Sequence, residues 1–453
     1  MPPVNPVIAI IGAGLSGTLL AINLLRHPGP HVLLVERNAS RVARGLAYAT
    51  ENSRHLLNVR ASNMSAFPDA PTHFLDWLGY PGSDGANRFV ERSTFGGYIQ
   101  HLLNEALAAH PDRLTLVAGE ATGAVPLDAG WSVDITGHGT IACDTLILAQ
   151  GNLPPSDLPP LRGLGTPVYH SNPWSADATT GLEDEDRVLL IGSGLTAIDI
   201  VLSLESAGYR GTIHALSRRG LRPRAHAPVG PHAAPMACPE ARGSKLVRHV
   251  RDRAAEVGWR TAIDELRPHT QDMWRRMDRA ERQRVLRHLR PFWDVHRHRL
   301  APAIDQKIAT LQMEGRLRFI PGKIETVEDH GDSALVTWRV RGGETRRSLD
   351  VRRIINCTGP LFDLDKCADP LMNVLRAQGL TRADPLALGL DVDVDGRVRD
   401  NGGVAQDNLL AVGPMTRGEC WEIVAVPDIR RQVWELARYL TDQLAASAAG
   451  RAA

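Results

Sequence analysis

Two short glycine-rich runs hold the residues of this chain best suited to chemistry. Gly12-Ala13-Gly14-Leu15-Ser16-Gly17 stands near the start, and Gly192-Ser193-Gly194-Leu195-Thr196-Ala197 stands mid-chain. The first glycine of such a run permits a tight turn, and the second lets the backbone approach a pyrophosphate. A third glycine, or an alanine such as Ala197, lets the following helix pack closely on the preceding strand. The N–H groups that open the helix then face the phosphates. Each run is followed at a fixed distance by a polar position that separates nucleotides. Glu36 lies 24 residues past Gly12, where a carboxylate accepts hydrogen bonds from a ribose diol. Ser217 lies 25 residues past Gly192 and opens Ser217-Arg218-Arg219. A hydroxyl with two guanidinium groups binds a 2′-phosphate, which a carboxylate would repel. The first site is expected to hold FAD through Gly12, Gly14, Leu15, Ser16, Gly17, Glu36 and Arg37. The second is expected to hold NADPH, with NADH as the alternative, through Gly192, Gly194, Leu195, Thr196, Ser217, Arg218 and Arg219.

These loops need strands and helices to aim them, and the flanking sequence supplies both. Val7–Ile11 and Arg187–Ile191 read as buried parallel strands, and Thr18–Leu25 and Ile198–Ser206 read as the helices that follow. His31–Val35 and Thr212–Leu216 read as the second strands. The fold class is therefore α/β, with two Rossmann-like dinucleotide-binding domains. Thr145–Ala149 and Ile354–Pro360 are strand-to-glycine turns that mark passages between domains, and Leu153–Pro160 has the proline content of a linker. The second domain is thus expected to be inserted into the first. The expected spans are 1–170 and 346–453 for the FAD domain and 171–345 for the NAD(P) domain. A helical insertion over 235–305 is expected within the latter. Its stretch 241–300 holds 16 basic and eight acidic residues, interleaved with Trp259, Trp274 and Trp293. That suits a cap that attracts an anionic substrate or NADPH.

Composition excludes several function classes. The 453 residues carry 52 basic and 51 acidic side chains, so the net charge of +1 argues against a nucleic-acid partner. The apolar stretch Ile8–Leu25 is broken by glycines, Ser16 and Asn23, and no membrane span is expected. The five cysteines lie at least ten residues apart, so no Cys-x-x-Cys can relay electrons. That removes the disulfide reductases and fits a cytoplasmic protein. No metal set is expected, because arginines flank the histidines of His296-Arg297-His298. His226, His296 and Arg297 remain as candidates for contact with a small-molecule substrate.

Further motifs carry a family resemblance. His55-Leu56-Leu57-Asn58-Val59-Arg60, Asn63–Asp69, Arg44–Tyr48, Cys357–Pro360, Asn408–Pro414 and Trp421–Pro427 together resemble the bacterial YdhS-like FAD/NAD(P)-binding proteins. That family is related more distantly to class B flavin monooxygenases and to amino-acid N-hydroxylases. The resemblance implies that Asn58 and Met64 border the flavin ring, that Gly413 and Pro414 approach its ribityl chain, and that a helix begins near Pro427. It also implies a monooxygenase using molecular oxygen on a nitrogen-rich substrate, urate being the leading choice. Arg222, Arg224, Arg297 and Arg299 would serve that planar anion. The alternatives are an amine or amino-acid N-hydroxylase, with Glu422 as partner for the ammonium, a flavin or quinone reductase, and a nucleotide-sensing flavoprotein.

Overall fold

The computed structural model describes residues 5–80, 85–230 and 236–452. The chain forms two compact units. The first takes in Met1–Glu51, Arg60–Leu153 and Phe362–Ala453, and the second takes in Asn52–Val59 and Pro154–Leu361.

The first unit is built on a six-stranded sheet. Its order is Arg397–Arg399, Ala405–Ala411, Thr145–Leu148, Val7–Ile11, His31–Glu36, Leu114–Ala118. All neighbours are parallel except the Arg397–Arg399 edge, and the register sets Ile8 beside Val32 and Thr145. Val7–Ile11 carries no polar residue because helices cover parallel strands on both faces. One of those helices, Leu15–Leu25, is buried along its whole length. It packs against Arg92–Ala109 and the C-terminal helix Val426–Ala452, which explains why its apolar residues run right round it. A three-stranded antiparallel sheet, Ala121–Pro126, Trp131–Ile135 and Gly139–Cys143, is tied on by Trp131, whose Nε1 donates to Asn408 O at 2.9 Å.

The second unit has a seven-stranded sheet in the order Arg346–Val351, Ala334–Val340, Leu317–Asp329, Thr212–Ser217, Arg187–Ile191, Arg353–Asn356, Tyr169–His170. Alternate residues of Arg187–Ile191 feed opposite apolar clusters, as strand periodicity requires. Val188 and Leu190 join one around the helix Leu195–Ser206, while Leu189 and Ile191 join one around Tyr169, Val336 and Trp338. The buried Glu205 ends that helix in a cage of cations, with Lys307 Nζ at 2.6 Å, Arg210 Nη1 at 3.3 Å and Arg316 also paired. The basic insertion is helical, with Gly243–Val257, Trp259–Leu266, Thr270–Arg275, Arg279–Arg284 and Arg290–Arg297 and one π turn at Val285–Leu289. Its expected first residue, 235, lies outside the described residues.

Two details of the expected layout change. The passages fall after Leu153 and after Leu361 rather than at 170 and 345. Tyr169–His170 and Arg346–Val351 belong to the second sheet because their ladder partners, Arg353–Asn356 and Ala334–Val340, lie there. The eight residues Asn52–Val59 also join the second unit. His55 anchors them, its Nε2 lying 2.9 Å from Asp199 O and 3.1 Å from Ser203 Oγ. No helix among the described residues is long and apolar enough to cross a membrane.

Candidate dinucleotide sites

In the first unit the parallel strands all end at one edge, and the glycine loop turns there. Gly12 has φ +107, and a Cβ on it would stand 2.5 Å from Ala149 O. Only glycine meets both conditions. A Cβ on Gly17 would collide with Gly12 O, which is the close helix-to-strand approach that its place in the motif requires. Gly14 is extended, and its Cβ would meet only the Gly45 backbone, Cα at 3.4 Å and N at 3.9 Å, so its glycine is not demanded by the protein's own packing. No side chain caps Leu15–Leu25, which leaves the N–H groups of its first turn to a ligand.

The other expected residues converge on this loop. Glu36 ends the strand His31–Glu36; its Oε2 accepts from Ala13 N and its Oε1 from Asn38 N, both at 3.0 Å. Each oxygen keeps a lone pair for a hydroxyl donor. Gly413 arrives from the far end of the chain with φ +79, and a Cβ there would stand 2.5 Å from Ser16 Oγ. Pro414 is buried beside it. Gln432 fixes this turn, its Oε1 accepting from Gly413 N at 2.8 Å and its Nε2 donating to Thr416 Oγ1 at 2.9 Å. The glycine cradle, the uncapped helix and the carboxylate at the strand end together fit the dinucleotide half of FAD.

Sequence reasoning missed Gln150 and Asp369. Gln150 closes the turn opposite Gly12, and its Nε2 donates to Asp369 Oδ1 at 2.8 Å. Asp369 caps the helix Pro370–Ala377 through Met372 N and lies 3.7 Å from Arg37 Nη1. Arg37 also donates to Glu120 Oε1 at 2.9 Å. The Asp-Pro pair signals a helix start, but nothing in the sequence joins positions 150 and 369.

The second unit repeats the loop. Gly192 has φ +118, and a Cβ there would run into Cys357 O. Gly194 is exposed with nothing within 4 Å of a Cβ, and no side chain caps the helix that opens with Leu195 and Thr196. The polar triplet is arranged unequally. Ser217 Oγ accepts from Ser193 Oγ at 2.8 Å and from Gly220 N at 3.0 Å, so this hydroxyl also holds its own turn together. Arg219 lies over Phe292 at 5.0 Å, its Nη2 3.4 Å from Arg287 O. Arg218 is exposed.

Of the residues expected at the flavin ring, Asn58 lies in the second unit and Met64 in the first. His226 Nε2 donates to Asn58 O at 3.0 Å, which joins two of the expected residues within the second unit. Met64 is buried beside Ser65, whose carbonyl accepts from Arg430 of the C-terminal helix at 2.9 Å. Of the four arginines expected to serve a planar anion, Arg299 and Arg222 have partners of their own. Arg299 is buried, donates to Asp264, His296 O and Arg260 O, and stacks on Trp259. Arg222 pairs with Asp305 at 3.3 Å, and Arg297 is buried. His296 stacks edge-on against Trp259, its Nδ1 2.7 Å from Phe292 O, and so helps build the insertion. Glu422 is buried and has φ +70. A non-glycine residue there is strained, and such strain gathers at functional sites.

Comparison with known proteins agrees with this geometry. Residues 9–153 match a family model described as FAD-NAD(P)-binding. A Baeyer-Villiger monooxygenase of Streptomyces coelicolor is 25% identical over 221 residues, covering 48% of this chain and 39% of that protein. The chain thus spans about two fifths of the length of that curated relative. The L-lysine 6-monooxygenase of Pseudomonas syringae superposes over 97% of this chain and 100% of its own, with a TM-score of 0.66 and 18% identity. The ornithine N-hydroxylase of Kutzneria sp. 744, in a structure with reduced FAD, NADP+ and L-ornithine, superposes over 97% and 100%, with a TM-score of 0.63 and 15% identity. Over nearly its whole length, the chain has the α/β fold of FAD/NAD(P)-binding flavoproteins.

Proposed function

We propose that this chain is an FAD-dependent, NAD(P)H-using monooxygenase that hydroxylates the nitrogen of a small amine or amino acid. The observation that carries this reading is the pair of glycine-loop sites on separate sheets, one ending in Glu36 and the other in Ser217-Arg218-Arg219. FAD in the first site would supply the activation of oxygen, and NAD(P)H in the second would supply the electrons. The chain's own residues hold and orient the two nucleotides. Gly12, Gly14, Ser16, Glu36 and Gly413 receive FAD, and Gly192, Gly194 and Arg218 receive NAD(P)H.

Amine substrates are favoured over urate on two grounds. The likeness in fold to lysine and ornithine hydroxylases spans 97% of the chain. Arg222 and Arg299, two of the four arginines a urate anion would use, are tied into ion pairs and carbonyl contacts, whereas the buried Glu422 is a carboxylate suited to an ammonium. The resemblance to YdhS-like proteins keeps urate as the competing substrate. The test is NAD(P)H oxidation by FAD-loaded protein with lysine, ornithine, short diamines and urate, with product masses. A hydroxylamine formed in step with NAD(P)H loss is expected. Hydroxylated urate instead would restore the purine reading. Rapid quinone reduction without any hydroxylated product would make the protein a reductase.

A further inference from the structure

Within the first unit, one buried acceptor has nothing to accept from. Gln150 Oε1 is enclosed by protein and has no hydrogen-bond partner among the described residues. Rotating the amide by half a turn cannot relieve it. Nε2 already donates to Asp369 Oδ1 at 2.8 Å, and a turned amide would set oxygen against carboxylate. Asp369 is itself fixed, because the same Oδ1 accepts from Met372 N at 3.1 Å as the cap of Pro370–Ala377. Its Oδ2 faces Arg37 at 3.7 Å, and Arg37 follows Glu36 directly. The backbone of Gln150 also abuts the glycine turn, its Cα 3.2 Å from the place of a Cβ on Gly12. The residue that carries the orphaned oxygen therefore backs the glycine turn and is linked through Asp369 to Arg37, next to Glu36.

From this we infer that Gln150 reads the adenine of FAD, accepting from its exocyclic amine, and that Asp369 is a positioning residue that holds the Gln150 amide in the accepting orientation. The inference rests on the FAD assignment of the preceding subsection. Elimination supports the choice of donor. The adenosine half of FAD offers the ribose hydroxyls and one amine, and the hydroxyls belong to Glu36. A buried acceptor that finds its donor only in the complex rewards the correct base. It also penalises a base that presents a carbonyl in the same place.

The experiment uses the full-length chain, freed of flavin and titrated with FAD and with flavin hypoxanthine dinucleotide, in which a carbonyl replaces the amine. The native chain is expected to prefer FAD by about tenfold to a hundredfold. Gln150→Leu is expected to bind both within about threefold of each other. Asp369→Asn keeps a helix-capping oxygen, but its new amide can donate to Gln150 Oε1, so its preference is expected to fall between the two. A purely structural role would change flavin-free melting temperature and leave this ratio alone. Equal binding of both dinucleotides by the native chain would overturn the inference while leaving the FAD assignment intact. So would a preference that survives Gln150→Leu. Failure of the native chain to bind either dinucleotide would remove the FAD assignment and the inference together.

Discussion

The unequal arrangement of Arg218 and Arg219 makes coenzyme choice separable by single substitutions. Arg218 is exposed, and its guanidinium has no hydrogen-bond or ion-pair partner among the described residues. It is free to meet a 2′-phosphate without giving up an existing contact. Arg219 would have to leave the Phe292 ring and the Arg287 carbonyl. A hydrogen bond to a charged group contributes about 1.5–3 kcal/mol, and each 1.4 kcal/mol is tenfold in affinity. Arg218→Ala is therefore expected to raise the KM for NADPH by about 10- to 100-fold, leaving that for NADH within about twofold. Arg219→Ala is expected to cost less in NADPH affinity, by about three- to tenfold, and to lower melting temperature through the lost Phe292 contact. Steady-state NADPH and NADH oxidation by the FAD-loaded protein at low ionic strength measures both, and salt should erode the native preference. If Arg218→Ala weakens both coenzymes equally, no 2′-phosphate is recognised there and the reasoning fails.

Other outcomes follow from the same structure. Gly14→Ala should leave flavin-free melting nearly unchanged, since its nearest new contact is Gly45 Cα at 3.4 Å, yet cut FAD affinity at least about tenfold by blocking the pyrophosphate; a titration showing native affinity would move the phosphate site elsewhere. Gly12→Ala, whose Cβ meets Ala149 O at 2.5 Å, should instead destabilise the protein with or without FAD, as melting curves would show. Glu36→Ala should weaken FAD by about 1–3 kcal/mol, and equilibrium dialysis that finds no change would count against the ribose contact. Burial, with Arg318 and Arg187 nearby, holds His214 neutral down to about pH 4, well below the ordinary histidine value of 6.5. The unfolded state thus binds the extra proton between these limits. The His214 contribution is complete above about pH 6.5 and is lost as pH falls through about 4, up to about 3 kcal/mol in all. Denaturant melts of His214→Leu should show a shallower loss of stability across that window, and an unchanged slope would exclude His214 as the acid-sensitive group.

The parts of the fold that were legible in the sequence are those whose causes are local. Val7–Ile11 and Arg187–Ile191 announce buried strands by composition, and the glycines after them announce a turn and a helix start. The backbone at Gly12 and Gly192 agrees, with φ +107 and +118. The glycine run assigns Ser16 to FAD and the resemblance assigns Gly413 to it, and the structure sets the two side by side. What stayed hidden depends on distant partners. Tyr169–His170 reads as the end of the span 1–170 until Arg353–Asn356 is available to pair with it. Arg299 looks like a substrate donor until Asp264 and the carbonyls of His296 and Arg260 are seen to consume it. Ser217 reads as a phosphate ligand, but its hydroxyl also serves Ser193 and Gly220. No periodicity reports which of two units captures eight residues such as Asn52–Val59.

The interleaving of the two units also sets an order of events on the ribosome. The central strand Thr145–Leu148 needs Ala405–Ala411 beside it, and the wholly buried helix Leu15–Leu25 needs Val426–Ala452. Neither partner has been synthesised when residue 361 emerges, by which point every strand of the second sheet is present. The unit that begins first in the chain is therefore finished last, with the apolar helix Leu15–Leu25 waiting through some 400 residues of elongation before Val426–Ala452 follows. At translation rates of about 5–20 residues per second, that wait lasts about 20–80 seconds. Nascent-chain truncations ending shortly after residue 361 should accordingly hold a folded second unit beside an N-terminal segment that engages chaperones.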